Sequence, residues 1–222
     1  MIKLLLVDDH AIVRAGYRSL LAKQPNLEVL GEAGDSNSAY HLFKELQADV
    51  LITDISLPGS SGLDLISRIK LSFSQARILV FSMHQNPAFA ALAIRGGALG
   101  YVSKSSEPEV LIRAIHEVYA RRPILSPDIA QMLALEKLGT ERIALETLTN
   151  REFEILRLLM NGHSHEEIAE TLFISAKTVS NCHYLIKAKL AVNSDIELTR
   201  LAIKLNVIDL LDLTPTTHPI GI

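Results

Sequence analysis

Five short apolar runs within the first 120 residues constrain the fold of this chain more than any other feature. They read, in order, "IKLLLV", "LEVLGEA", "DVLITD", "ARILVFS" and "ALGYVSK". Valine, isoleucine and leucine occupy consecutive positions, which is typical of strands buried on both faces of a parallel sheet. Amphipathic, helix-like segments separate the runs. This alternation predicts a doubly wound α/β domain with a five-stranded parallel sheet and right-handed crossovers.

Polar residues stand at the carboxyl ends of four of these runs: Asp8 and Asp9, Asp54, Ser82, and Lys104. Ligands of such sheets bind beyond the carboxyl ends of the strands, so these side chains are expected to meet. Three carboxylates close together favour a hard cation, and oxygen ligands of this kind suit Mg²⁺. The ammonium and hydroxyl groups could hold phosphoryl oxygens. The pattern therefore predicts a magnesium site with Asp54 as a nucleophile that forms an acyl phosphate.

Each of these residues also has an ordinary explanation. Asp8 or Asp9 could cap the helix that begins near His10. Asp54 could start a turn, and Lys104 could be a solvated lysine at a strand end. The occurrence of all of them at one sheet edge favours the phosphoryl site.

The segments "VDDH", "ITDISLPGSSGLDLI", "ILVFS" and "ALGYVSK" resemble the receiver domain of bacterial two-component response regulators, a flavodoxin-like fold. The resemblance covers residues 1–120 and implies a role for each matching position. It makes Asp54 the phosphoacceptor, and Asp8, Asp9, Asp54 and the backbone carbonyl of Ser56 the metal ligands. It makes Lys104 the phosphoryl-binding lysine, Ser82 the switch hydroxyl and Tyr101 the aromatic residue that reorients. A haloacid-dehalogenase-type hydrolase is the rival, but it carries a second carboxylate where this chain has Ser56.

Residues 121–146 are interpreted as a linker with one helix, which starts near Ser126. Two prolines and the pair Arg121 and Arg122 interrupt the preceding helix. The leucine-rich linker helix could instead contribute to a dimer interface.

Residues 147–212 have the pattern of four short helices around a small core. "TNRE", "SHEE" and "SDIE" each place Ser or Thr three residues before Glu, which predicts three capping boxes, and Ser175 can cap a fourth helix. The short connection "LFISAK" between the second and third helices fits a helix-turn-helix. Residues 213–222 are expected to form a tail.

The third of these helices differs from the rest of its acidic surroundings, because residues 175–190 contain three lysines and no acid. Hydroxyl, amide and ammonium groups are the groups that contact bases and phosphates. We assign Lys177, Thr178 and Lys187 to phosphates, and Ser180, Asn181 and Tyr184 to bases. An ordinary solvated helix face is the alternative, and the net charge of −3 gives DNA binding no support by itself. The eight histidines show no metal-ligand spacing.

This last third resembles the DNA-binding domain of the NarL/FixJ and LuxR groups through "REFEILRLL", "EIAETL" and "KTV". "KTVSNCHYLIKAKLAVNSDIEL" and "ILSPDIAQMLAL" most resemble the GacA/UvrY branch. Many members have His at the position of Cys182 and a basic residue at that of Ser180. Fewer charged contacts predict a smaller dependence of DNA affinity on salt.

The two resemblances together imply a phosphorylation-dependent transcription regulator rather than an enzyme. The implied partners are a sensor histidine kinase, Mg²⁺, promoter DNA and a second copy of the chain, with RNA polymerase as a further candidate. Family behaviour implies that Ser82 and Tyr101 reorient and that the receiver releases the C-terminal domain. The single cysteine and the lack of a long apolar run predict a cytoplasmic protein without a membrane span.

Two other functions remain open from the sequence. One is a constitutive or protein-contact-controlled DNA-binding protein whose receiver does not switch. The other is a ligand-sensing LuxR-type receptor, which would need a lipophilic pocket domain where residues 1–120 carry the phosphoryl site.

Overall fold

The computed structural model describes residues 1–58, 60–136, 145, 147–205 and 207, without the side chains of 135 and 136. The predicted tail and much of the second half of the linker lie outside these residues. None of the helices formed by the described residues is long and apolar enough to cross a membrane. The elements are β1 (Ile2–Val7), α1 (Ala11–Leu21), β2 (Leu27–Ala33), α2 (Ser36–Leu46), β3 (Val50–Thr53), α3 (Gly62–Ser72), β4 (Ile78–Ser82), α4 (Pro87–Arg95), β5 (Gly100–Ser103), α5 (Pro108–Tyr119), β6 (Ile124–Leu125), α6 (Pro127–Glu136), α7 (Asn150–Met160), α8 (His165–Leu172), α9 (Ala176–Lys189) and α10 (Asp195–Lys204).

The strands form one parallel sheet in the order β2-β1-β3-β4-β5-β6. The α/β architecture is as predicted, but the prediction of five strands is wrong, because β6 adds a sixth at the edge beside β5. Backbone N–H groups of Ile124 and Ser126 donate to the carbonyls of Leu99 and Tyr101. The sheet therefore continues past residue 120 into the segment interpreted as linker, and Pro123 precedes a strand at an edge, where proline is tolerated.

The side chains of β1 alternate between two hydrophobic cores, as expected for a strand covered on both faces. Leu4 and Leu6 pack with α1 and α5, whereas Leu5 and Val7 pack with α2, α3 and α4. All four are at most 2% exposed. The core that contains Leu5 and Val7 is continuous with the apolar side chains of the C-terminal helices.

The linker contains more helix than predicted. Helix α6 is the expected linker helix, but Leu145 is also helical and is buried. The helix content between the two domains is therefore greater than the sequence indicated.

Side chains cap the C-terminal helices largely as predicted. Thr149 with Glu152 and Ser164 with Glu167 form reciprocal capping boxes, and Ser175 accepts a bond from the Thr178 N–H. The third predicted box is one-sided. Ser194 accepts from the Glu197 N–H, but the Glu197 carboxylate accepts from the N–H of Asn193 instead.

Candidate functional site

The carboxyl ends of β1, β3 and β5 bring three of the predicted charged residues into direct contact. Lys104 Nζ lies 2.5 Å from Asp8 Oδ2 and 2.6 Å from Asp54 Oδ2. All three side chains are at most 6% exposed. The convergence expected from the parallel sheet is therefore present in the structure.

Two further backbone groups hold the carboxylate of Asp54. Its Oδ1 accepts bonds from the N–H groups of Ile55, at 2.6 Å, and Ser56, at 3.3 Å. Asp54 thus starts a turn, which was one ordinary explanation for it, while its second oxygen faces Lys104. The Asp54 carboxylate therefore both stabilises the turn and contacts the ammonium of Lys104.

Lys104 is not a solvated lysine. Burial alone would lower its pKa, but the carboxylates of Asp54 and Asp8 outweigh burial and raise it. The ammonium is therefore charged at neutral pH and compensates part of the acidic charge around it.

Asp8 and Asp9 do not cap α1. Its N-cap is His10, which makes no side-chain capping bond. Asp8 Oδ1 accepts from the His10 N–H at 2.8 Å, and Asp9 Oδ1 lies 2.7 Å from His10 Nδ1. The capping alternative for the acidic pair is therefore wrong.

The residues at this edge fit a magnesium ion. Ligand atoms of Asp8, Asp9 and His10 lie within 4.8 Å of one another. Three carboxylates and the ammonium of Lys104 leave a formal charge of −2 at the edge, which a divalent cation would balance. Carboxylate oxygens are ligands of the type that Mg²⁺ prefers.

Ser82 and Tyr101 lie fully buried beside this site. The Tyr101 hydroxyl donates to the carbonyl of His84 at 2.6 Å, and Ser82 Oγ accepts from the His84 N–H at 3.3 Å. Burial raises the pKa of Tyr101, and the charge of Asp54 adds to the rise. Tyr101 therefore remains a neutral hydrogen-bond donor.

His84 also contacts this site, although its position was not predicted from the sequence. Its Nε2 lies 2.8 Å from Ser56 Oγ, and its ring stacks on Phe89 with a centroid distance of 4.3 Å. Phe89 in turn meets Phe153 of α7 edge to face, at 5.0 Å. Contacts therefore run without a gap from the turn after Asp54 to the C-terminal domain. The only sequence signal is that His84 stands two residues after the end of β4.

Helix α7 packs against α3 and α4 of the receiver-like domain. Besides the pair of Phe89 and Phe153, Arg151 Nη1 lies 3.1 Å from Asp64 Oδ2. An edge-to-face aromatic pair adds about 0.5–1.5 kcal/mol beyond its buried area. These contacts hold the two domains together in this arrangement.

A carboxyl group is buried at this contact. Glu154 in α7 is 5% exposed, and its Oε2 has no hydrogen-bond partner among the described residues. Burial raises the pKa of Glu154 to about 7, and the carboxylate of Asp64 adds to the rise. A hydrogen bond with Ser61 and the charges of Arg157 and Arg151 lower the pKa but do not cancel the rise.

The unfolding free energy is expected to fall as pH rises from about 4.5 to about 7, because the folded protein keeps the proton on Glu154 over this range while the unfolded chain loses it. The loss should approach about 3 kcal/mol above this range. Urea unfolding at several pH values measures it, and Glu154→Gln should flatten this part of the profile.

Glu152→Gln provides the control. Burial would raise the pKa of Glu152, but bonds from Lys189 and Thr149 outweigh burial and lower it. Its stabilising contribution is therefore lost as pH falls, so its replacement should change the acidic part of the profile. An unchanged fall towards pH 7 in Glu154→Gln would refute the assignment.

Helices α8 and α9 form the predicted helix-turn-helix, joined through Phe173 in the left-handed conformation. The inward residues Val179 and Ile186 are fully buried, and Cys182 is partly buried. Five of the six residues assigned to DNA contact are exposed: Lys177, Thr178, Ser180, Asn181 and Tyr184. The outer face of α9 is therefore open although α7 is packed against the receiver-like domain.

Lys187 is the exception among the predicted DNA contacts. Its Nζ lies 2.8 Å from Asp195 Oδ1, and its side chain is 25% exposed. Lys189 is paired with Glu152 at 2.6 Å. Lys177 is then the one lysine of α9 without an acidic partner among the described residues. Its ammonium is exposed and not neutralised by a carboxylate, so it is the lysine best placed to bind a phosphate.

Comparisons with known protein families match both halves of the chain. Residues 4–116 match the family described as response regulator receiver domain. Residues 146–202 match the family described as bacterial regulatory proteins, luxR family.

Curated proteins match over nearly the full length. The response regulator UvrY of Escherichia coli (strain K12) is 35% identical over 92% of this chain and 94% of its own length. The response regulator GacA of Pseudomonas aeruginosa (strain PAO1) is 34% identical over 94% and 99%. The structure of RcsB from Salmonella enterica serovar Typhimurium, bound to promoter rprA with the phosphomimetic BeF3−, is 31% identical over 90% and 97%, with a TM-score of 0.71.

Proposed function

The chain belongs to the two-component response regulators that join a receiver domain to a LuxR-type DNA-binding domain, and on that premise we propose that Asp54 is the residue that accepts the phosphoryl group. The protein is a phosphorylation-dependent, DNA-binding regulator of transcription. Its phosphodonor is a sensor histidine kinase. The observation that carries the proposal for Asp54 is its buried carboxylate, held between the backbone N–H groups after β3 and the ammonium of Lys104.

In the proposed reaction, a carboxylate oxygen of Asp54 forms a bond to phosphorus. The bond between phosphorus and the donor breaks, and its electron pair leaves with the donor. Lys104 balances negative charge on the phosphoryl oxygens, since its ammonium already lies 2.6 Å from Asp54. This is the role that the geometry supports for the buried lysine.

Asp8, Asp9, Asp54 and the backbone carbonyl of Ser56 would hold Mg²⁺. The ion would supply positive charge that stabilises the transferring phosphoryl group. The formal charge of −2 at the site supports this set of ligands, and Lys104 would then move from Asp8 towards the phosphoryl oxygens.

Ser82 and Tyr101 are the proposed switch residues. Both are buried, and both contact His84, the residue whose ring reaches Phe89 and, through it, α7. A phosphoryl group on Asp54 can change the arrangement only if it binds one conformation better than the other. The Ser82 hydroxyl would supply such a preference by donating a hydrogen bond to a phosphoryl oxygen.

Phosphorylation need not uncover the DNA-reading helix, because the outer face of α9 is already open. The family-based expectation was release of the C-terminal domain. The exposed face of α9 favours dimerisation over release as the main effect of phosphorylation. Two paired chains would place two copies of α9 on neighbouring half-sites of the DNA.

The test compares the native chain with Asp54→Asn, each incubated with Mg²⁺ and a small acyl phosphate. Sedimentation measures dimer formation, and selection from a randomised double-stranded DNA pool measures sequence preference. The proposal predicts that the acyl phosphate increases dimer formation and sequence-specific DNA binding in the native chain but not in Asp54→Asn. Equal responses in the two proteins would refute Asp54 as the controlling residue.

Lys177→Ala should weaken DNA binding almost uniformly across sequences, because an exposed lysine neutralises a phosphate rather than reading a base. The plot of log affinity against log salt concentration should lose about one unit of slope. Lys23→Ala, an exposed lysine of the receiver domain, is the control and should leave the slope unchanged. An unaltered slope in Lys177→Ala would remove this residue from the interface.

A constitutive DNA-binding protein is the second candidate, and the open face of α9 is the observation that favours it. The two functions differ in one measurement. Promoter activity in a strain carrying Asp54→Asn should change if phosphorylation controls the protein, and it should stay the same if the receiver domain does not switch.

A further inference from the structure

Two histidine rings meet between the helices of the helix-turn-helix, far along the chain from the phosphoryl site. His165 lies in the first turn of α8, and His183 lies in α9. His165 Nε2 and His183 Nδ1 are 3.3 Å apart, and the ring planes are at 86°. No local sequence pattern indicates this pair, because 18 residues separate the two histidines.

The separation of the two nitrogens matches that of two ligands on one metal ion. Imidazole nitrogens bind Zn²⁺ at about 2.0–2.1 Å, and at tetrahedral angles two such nitrogens lie about 3.3–3.4 Å apart. In the absence of a metal, the same two nitrogens are placed for a direct hydrogen bond, in which one ring donates its N–H to the other. The distance is compatible with both arrangements, so a metal ion could replace the shared proton without a large movement of either ring.

The second nitrogen of His183 faces an acid. Its buried Nε2 lies 3.0 Å from Asp195 Oδ1, but the two atoms are not aligned for a hydrogen bond. A small rotation of the His183 ring would let its Nε2–H donate to Asp195. Lys187 holds the same oxygen of Asp195 at 2.8 Å. Metal-binding histidines usually donate their other ring N–H to a carboxylate, which fixes the nitrogen that faces the metal.

We propose that His165 and His183 form a two-imidazole site for a divalent transition-metal ion of the Zn²⁺ class, with Asp195 as the outer carboxylate. Both side chains are partly exposed, so water can reach the remaining coordination positions. The ion joins α8 to α9 and so stiffens the DNA-reading unit. It differs from the magnesium site proposed for the receiver domain, whose ligands are oxygens of Asp8, Asp9, Asp54 and Ser56.

The test is a Zn²⁺ titration of the full-length protein by calorimetry, in excess Mg²⁺ to saturate the receiver site. One Zn²⁺ should bind, and its affinity should fall at least about tenfold in His165→Gln and in His183→Gln. Asp195→Asn should weaken binding by about 10–100-fold. His41→Gln, on helix α2, is the control and should bind like the native protein.

Thermal unfolding and Co²⁺ absorption provide readouts that need neither DNA nor phosphorylation. Zn²⁺ should raise the melting temperature of the native protein and of His41→Gln, but not that of His165→Gln. Co²⁺ should give the intense visible bands of a tetrahedral nitrogen site only where both histidines are present. Circular dichroism verifies folding, and His165→Gln decides the question if His183→Gln fails to fold. Native-like Zn²⁺ binding in folded His165→Gln, or none in the native protein, would overturn the proposal.

Discussion

Replacing Gly62 with alanine is expected to destabilise the receiver domain by about 3 kcal/mol, near the upper end for overpacking of a fixed core. A Cβ atom at Gly62 would lie 2.0 Å from the carbonyl oxygen of Asp54 and 2.8 Å from the Cα of Ile55. Both neighbours are backbone atoms, so the turn that carries Asp54 must move. The rate of phosphoryl uptake should therefore fall together with stability. Urea unfolding and the time course of phosphorylation measure the two effects.

Gly16→Ala is the matched control. Gly16 lies in the exposed part of α1, and a Cβ there would meet nothing within 4 Å. Because glycine is a poor helix former, this change should stabilise the protein by up to about 1 kcal/mol. If Gly62→Ala were as stable as the native chain, the tight approach of α3 to Asp54 could not be real.

Replacing Lys104 with methionine is expected to reduce the rate of phosphoryl uptake by about 10²–10³-fold, the usual cost of losing one charge-stabilising donor at a reacting group. Methionine keeps much of the length of the side chain but leaves the carboxylates of Asp8 and Asp54 without their ammonium partner. Breaking a buried ion pair in this way costs about 3–5 kcal/mol. In the absence of Mg²⁺, the unfolding free energy should fall accordingly.

Magnesium should restore part of this stability, since a divalent cation can replace the lost charge. The free energy of unfolding should thus depend more steeply on Mg²⁺ concentration in Lys104→Met than in the native chain. Lys44→Met, on the exposed face of α2, should change neither the rate nor the stability. Native phosphorylation kinetics in Lys104→Met would contradict the role given to this lysine.

The receiver site could be predicted because parallel strands impose it. Asp8, Asp54 and Lys104 each follow an apolar run, and the topology of the sheet alone brings the ends of those runs together. The burial of Val179 and Ile186 could likewise be predicted from helical spacing. In both cases regular secondary structure, the parallel sheet or the helix, sets the position of the side chain.

Other features depend on contacts between elements, and the sequence could not supply them. Strand β6 has two residues, too few to show a period, and it exists because the edge of β5 offers free backbone groups. His84 lies in a loop, and its contacts with Ser56 and Phe89 depend on the path of that loop. The pairing of Lys187 with Asp195 needs the angle between α9 and α10, which no local pattern encodes.

The arrangement of the domains places a titrating carboxyl group and an aromatic contact at the same interface. Glu154 is buried next to Asp64, while Phe153 packs on Phe89 a short distance from the phosphoryl site. Five of the six residues assigned to DNA contact are exposed on α9, so this interface does not cover them. Control by phosphorylation is therefore expected to appear first as a change in dimerisation.

The most direct test of the account is the intact mass of the protein after incubation with Mg²⁺ and a small acyl phosphate. The native chain should gain the mass of one phosphoryl group, and Asp54→Asn, which removes the nucleophilic carboxylate while keeping its shape, should gain none. A phosphoryl group on Asp54→Asn, or none on the native chain with any of several donors, would contradict the proposal that Asp54 is the phosphoacceptor.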